Sequence, residues 1–205
     1  MGSQHPKLRA AGPPPAGILV FAGSSSFTFW SSLERDMAPL PVLNRGFGGA
    51  RLQDVLHYAE RMILPYRPRP VVLFAGTNDI AWPKPASAQE VFEDYLALVQ
   101  QIRSVLPETP VYYVSITPAP SRWRYWPIVQ KANRLIRGHT RSAPCLRSIP
   151  RAGHLLGPDG KPDRRLYRFD RLHPGKKGYA RWSAVIKPVL TRDLIGIRPI
   201  QDSMI

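Results

Sequence analysis

Asp170-Arg171-Leu172-His173, near the C-terminal end of the chain, sets a carboxylate three residues before a histidine. A carboxylate so placed can fix the imidazole tautomer and stabilise the imidazolium formed when the histidine takes a proton. Such a base needs a nucleophile. Gly23-Ser24-Ser25-Ser26 supplies three hydroxyls directly after the apolar run Ile18-Leu19-Val20-Phe21-Ala22. A serine hydroxyl is weak until a base accepts its proton, so neither segment is reactive alone. Acyl transfer also builds negative charge on a carbonyl oxygen, which calls for donors aimed in advance. Gly46-Phe47-Gly48-Gly49 offers backbone N–H groups without Cβ obstruction, and Gly76-Thr77-Asn78-Asp79 offers the side-chain amide of Asn78. The glycine block is not a Walker loop, because no Lys-Ser/Thr follows it. The Asn-Asp pair also reads as a turn closed by Asx hydrogen bonds.

The other histidines lack this context. His5 lies near the N-terminus, His57 and His139 fall in segments of helical pattern, and His154 sits among glycine and basic residues. No His/Cys cluster has metal-ligand spacing, so neither a metal nor another cofactor is expected. Cys145 is the single cysteine, which rules out an intrachain disulfide. It favours a reducing compartment, with the cytoplasm as the expected location, and reads as a buried structural residue. The serine block does not match the Gly-x-Ser-x-Gly elbow of α/β-hydrolases, and residue types alone leave Ser24, Ser25 and Ser26 in competition.

Elements that could assemble these blocks are visible as patterns. Candidate strands cover 17–22, 41–45, 71–75, 111–116 and 146–149. Their near-continuous apolarity fits strands covered on both faces in a parallel sheet. Helical segments are expected at 27–38, 51–64, 87–106, 127–141 and 178–190, the last interrupted near Pro188. In the third, Ser87 and Glu90 form a capping box, and Val91, Tyr95, Leu98, Val99, Ile102 and Leu106 make one apolar stripe. This alternation predicts an α/β sandwich around a five-stranded parallel sheet. All four polar blocks fall at the carboxyl ends of strands, where such sheets place their functional crevice.

A chain of 205 residues suits one domain. Residues 1–16, polar and carrying Pro13-Pro14-Pro15, read as a flexible leader, 17–192 as the domain, and 193–205 as a tail without periodicity. No apolar run approaches the roughly 20 residues that span a bilayer. The net charge of +15 comes mostly from arginines spread between Arg122 and Arg192. No run of five or six like charges and no nucleic-acid motif occurs, so a solvated, arginine-rich surface is expected and a specific nucleic-acid partner is not.

Taken in order, Gly-Ser-Ser-Ser, Gly-Phe-Gly-Gly, Gly-Thr-Asn-Asp and Asp-Arg-Leu-His resemble the four blocks of the SGNH hydrolase superfamily, the GDSL-like esterases and lipases. The resemblance runs from about Gly17 to Leu190. It implies a flavodoxin-like three-layer α/β/α fold and a serine hydrolase without a metal. Gly23 anchors the family register, which selects Ser25 as nucleophile. Asp170 and His173 then correspond to the orienting acid and the base, and the Ser25 amide, Gly49 and Asn78 to the oxyanion donors. Ser24 stands where the family has aspartate, and Ser26 where it has leucine. A serine block followed by Trp30 is similar to a bacterial subgroup of these proteins.

The expected function is therefore hydrolysis of short-chain carboxylic esters through an acyl-enzyme, on a small-molecule substrate. Trp30, Trp123 and Trp126, with Tyr125, are candidate walls of the cleft. Aromatic walls beside arginines suit a sugar ester too, so O-deacetylation of sugars is the alternative. From a different class comes a non-catalytic polyanion- or carbohydrate-binding protein on the same fold. A homo-oligomer is compatible with all three.

Overall fold

Every position of the central strands is apolar because both faces of the sheet are covered. The computed structural model describes residues 17–81 and 83–195. Five strands, β1 (Leu19–Gly23), β2 (Val42–Gly46), β3 (Val71–Phe74), β4 (Val111–Val114) and β5 (Leu146–Ile149), form one sheet in the order β2-β1-β3-β4-β5. All neighbours are parallel. This is the strand order of flavodoxin-like doubly wound sheets, and it reverses between β1 and β3.

Side chains alternate between two cores, as the two-residue strand period demands. Val20, Ala22, Val71, Leu73, Val111 and Tyr113 face one layer. That layer holds α3 (Leu52–Met62), α4 (Ala88–Val105) and α5 (Trp126–Ser142). Leu19, Phe21, Val72, Phe74, Tyr112 and Val114 face the other, with α1 (Ser25–Thr28), α2 (Leu33–Met37) and α6 (Lys176–Ile195). The capping box at α4 forms: the Glu90 amide donates to Ser87 Oγ at 3.2 Å and the Ser87 amide to Glu90 Oε2 at 2.7 Å.

Three expectations need correction. The single helix expected over 27–38 is two short ones, α1 and α2. The chain turns inward at Trp30, whose indole N–H donates to Asp36 Oδ2 at 2.8 Å, while Ser32 Oγ donates to the same oxygen at 2.6 Å. The last helix runs unbroken through Pro188 to Ile195. Its stripe of Trp182, Ile186 and Leu190 is fully buried on both sides of the proline, which outweighs one lost hydrogen bond. Cys145 is only half-buried, in a left-handed turn with φ 61°. The expected leader, and the tail beyond Ile195, lie outside the described residues. No helix among those described is long and apolar enough to cross a membrane.

Candidate active site

The reversal of strand order opens a crevice at the carboxyl ends of β1 and β3, and both strands deliver a candidate residue there. β1 runs into α1, a single turn. Ser24 and Ser26 are buried, at 2% and 8% exposure, while Ser25 between them is half-exposed. The turn is held from several sides. The Ser24 amide donates to the Phe74 carbonyl at 2.9 Å, and Asn44 Nδ2 donates to the Phe27 carbonyl at 2.6 Å. Tyr179 Oη, reaching from α6, donates to the Ser26 carbonyl at 2.8 Å. Phe27 is fully buried among Phe21, Phe74 and Trp182, with ring centroids 5.3 to 6.1 Å away. Gly46 is required beneath it. A Cβ there would lie 2.6 Å from Phe27 Cβ, 2.7 Å from the Thr28 nitrogen and 2.9 Å from the Ser24 oxygen.

His173 meets this corner from a distant part of the chain. Its Nε2 lies 2.8 Å from Ser25 Oγ, and its Nδ1 lies 2.7 Å from Asp170 Oδ2. With the Nδ1 proton donated to Asp170, Nε2 is left to accept from the serine hydroxyl. A hydrogen bond from the Arg171 amide to the Arg168 carbonyl, 2.9 Å, closes the turn that carries the acid. Arg171 adopts a left-handed φ of 57°. Asp170 Oδ1 accepts from the amides of Leu172 at 2.9 Å and His173 at 3.0 Å. Burial acts against the charged carboxylate. The hydrogen bonds from the His173 ring and from these two amides outweigh it and hold the Asp170 carboxyl below its ordinary value.

The second and third blocks are tied to one another. Asn78 Nδ2 donates to the Ala50 carbonyl at 2.9 Å, which leaves it a second N–H. Asp79 Oδ1 accepts from the Leu52 amide at 3.0 Å. Asp79 is 4% exposed. Burial pushes its carboxyl up to about 6, against the opposing hydrogen bond from Leu52. Gly49, at φ 73°, occupies backbone space that disfavours other residues. It is exposed, and nothing lies within 4 Å of a Cβ built on it or on Gly48.

The three tryptophans separate. Trp30 is not a cleft wall: it is 1% exposed, stacked at 5.2 Å on Tyr179 and packed edge-on against Trp182. Trp123 and Trp126 are half-buried and stacked at 5.5 Å, and they share a small cavity with Thr77, the residue before Asn78. Tyr125 is half-buried beside them, with the Arg124 guanidinium over its ring.

Sequence patterns missed three residues. Phe29, 45% exposed, sets its ring edge-to-face on His173 at 4.8 Å, and the Arg168 guanidinium lies over it at 4.9 Å. Tyr179 props the Ser26 carbonyl. Asp79 anchors the start of α3. Only Asp79 carried a signal, as the second acid-amide residue of its turn. Among the described residues, no group of three or more His, Cys, Asp or Glu side chains is placed to hold a metal ion.

Comparison with known proteins agrees with this fold. The family model for GDSL-like lipases and acylhydrolases matches residues 11–181. Among solved structures, a GDSL-like lipase from Bacteroides thetaiotaomicron superposes with a TM-score of 0.75 at 21% identity, over 90% of this chain and 93% of that one. A lipase/acylhydrolase from Enterococcus faecalis gives 0.70 at 21% identity, over 86% and 96%. A carbohydrate esterase family 3 protein from Talaromyces cellulolyticus gives 0.70 at 15% identity, over 88% and 99%. No curated protein sequence matches.

Proposed function

The chain belongs to the GDSL-like lipase/acylhydrolase family and is an ester hydrolase, and on that premise we propose that it cleaves short-chain carboxylic esters with Ser25 as nucleophile. The observation that carries this reading is the continuous Ser25–His173–Asp170 hydrogen-bond chain, at 2.8 and 2.7 Å, between blocks 148 residues apart. His173 Nε2 takes the hydroxyl proton as Ser25 Oγ attacks the ester carbonyl. Asp170 stabilises the imidazolium that results. The Ser25 and Gly49 amides and the free N–H of Asn78 receive the oxyanion. His173 then protonates the departing alcohol. A water, deprotonated in turn by His173, releases the acid from Ser25. The open space over Gly48 and Gly49 suits a short acyl group that needs no tunnel.

A second reading has its own support. The stacked, half-buried Trp123–Trp126 pair, with Arg122 beside it, offers an apolar face and a cation to a sugar ring lying against the surface. The same machinery would then remove acetyl groups from sugars.

The test is hydrolysis of p-nitrophenyl esters of two-, four- and eight-carbon acids by wild type and Ser25→Ala. The expected outcome is highest activity on the shortest ester and a loss of about 10⁴-fold or more in the variant. Activity that survives Ser25→Ala rules out this nucleophile. Acetate release from acetylated sugars without turnover of the aryl esters selects the sugar reading. A folded wild type silent on both sets returns the non-catalytic binding protein.

A further inference from the structure

We infer that the turn carrying Phe169 is a docking element for an anionic lipid surface. Phe169 would enter the headgroup layer, and the arginines beside it would meet the phosphates. This inference goes beyond ester hydrolysis and does not depend on it.

A single apolar side chain on a surface is ordinary, and it becomes a candidate contact when it stands almost wholly free on a fixed turn flanked by cations. Three are exposed among the described residues: Phe29 at 45%, Val105 at 52% and Phe169 at 92%. Two of these three belong to the rim of one site. Phe169 directly precedes Asp170, and Phe29 touches the His173 ring. The protrusion of Phe169 follows from the local backbone. In the turn from Arg168 to Arg171, Phe169 and Asp170 are the central residues. Asp170 is turned inward by the His173 ring and two backbone amides. Its neighbour Phe169 is left on the outside, 92% exposed.

The turn is also fixed in space. The Arg171 carbonyl accepts from both the amide and the hydroxyl of Ser121, each at 3.0 Å. The Arg168 amide donates to the His173 carbonyl at 2.8 Å. A ring presented on so constrained a turn loses little further freedom on burial, so its burial adds directly to binding.

Charge selects the partner. Residues 161–177 hold seven Lys and Arg against two acids. Both acids are occupied, Asp163 by Arg165 at 2.9 Å and Asp170 by His173. Arg168 and Arg171, either side of Phe169, are exposed and uncompensated by any described ion pair. An apolar tip ringed by arginines matches the acyl–headgroup boundary of an anionic bilayer, where apolar insertion and cationic attraction add. An acidic polysaccharide would use the cations and leave the protruding phenyl without a role.

Full-length protein is sedimented with phosphatidylcholine vesicles, with and without phosphatidylglycerol. Binding is expected only with phosphatidylglycerol. Phe169→Ser should weaken it on the order of tenfold, as loss of a buried phenyl implies. Arg168→Gln should weaken it about fivefold. Arg134→Gln, the same charge change on α5 in a separate cavity beside His154, should weaken it less. The far-UV circular dichroism and urea-unfolding midpoint of Phe169→Ser should match the wild type, which reports an intact fold. The inference is overturned if phosphatidylglycerol makes no difference, or if Phe169→Ser binds vesicles as tightly as wild type. It also falls if Arg134→Gln costs as much as Arg168→Gln, or if heparin binds while vesicles do not.

Discussion

The corner bearing Ser25 and the turn bearing Asp170 and His173 meet at a 2.8 Å contact, yet different forces hold them. The corner around Ser25 is a packing device. Ser24, Ser26 and Phe27 are buried, the Phe27 ring sits in an aromatic cluster, and Gly46 touches the backbone with no room for a methyl group. The turn around Asp170 sits at the surface, with Phe169, Arg168 and Arg171 exposed, and is held by hydrogen bonds from backbone amides. Dense packing resists any displacement, whereas a hydrogen-bonded surface turn fixes orientation at little cost to the rest of the fold. Damage to the corner should therefore register in stability and activity together, and damage to the turn in activity alone.

The sharpest test is Asp170→Asn. The amide keeps the shape but cannot serve as anion to His173. It should lower kcat by about 10⁴-fold while leaving the denaturation midpoint close to wild type. A matching loss of stability would break the comparison. Asn78→Ala, between the two regions, should cost about 10²–10³-fold in kcat. Full activity would remove Asn78 from the oxyanion site. Gly46→Ala probes the packed corner. Two of its contacts are to backbone atoms, so a destabilisation of about 3 kcal/mol in urea unfolding is expected, with activity falling alongside. Unchanged stability would mean that the corner yields.

Asp79→Asn gives the smallest effect and a pH signature. Its folded carboxyl lies at about 6 against an ordinary 3.8. The folded state thus prefers the proton, and stability is lost as pH rises from 3.8 through 6 and is flat above. Asparagine stays neutral and can still accept from Leu52. It should stabilise by about 2 kcal/mol at pH 8, after allowance for the weaker hydrogen bond, and by nearly nothing at pH 3.5. Equal effects at both values would mean that Asp79 stays charged in the fold.

Much of this was legible before folding. The apolar runs located all five strands, because burial on both faces leaves no polar position in β1 or β3. Ser87 and Glu90 announced the start of α4 because a capping box is local. Features decided by distant partners were not legible. The break between α1 and α2 depends on burying Trp30 against Tyr179 and Trp182 of α6, and continuity through Pro188 depends on the buried stripe of α6. Trp30 read as a cleft wall because aromatic composition looks alike in core and cleft.

The sequence by itself determined the α/β alternation and the presence of three chemical blocks at strand ends, with the fourth, Asp170 to His173, in the loop before α6, since hydrophobic period and turn chemistry are short-range. It also determined the family, through the order of those blocks. Only the tertiary structure decided that Ser25 Oγ lies 2.8 Å from His173 Nε2, that Asn78 ties itself to Ala50, and that Phe29 leans on His173. Those contacts join residues that are far apart in the chain, and a parallel sheet with helical crossovers brings them together only once both of its faces are packed.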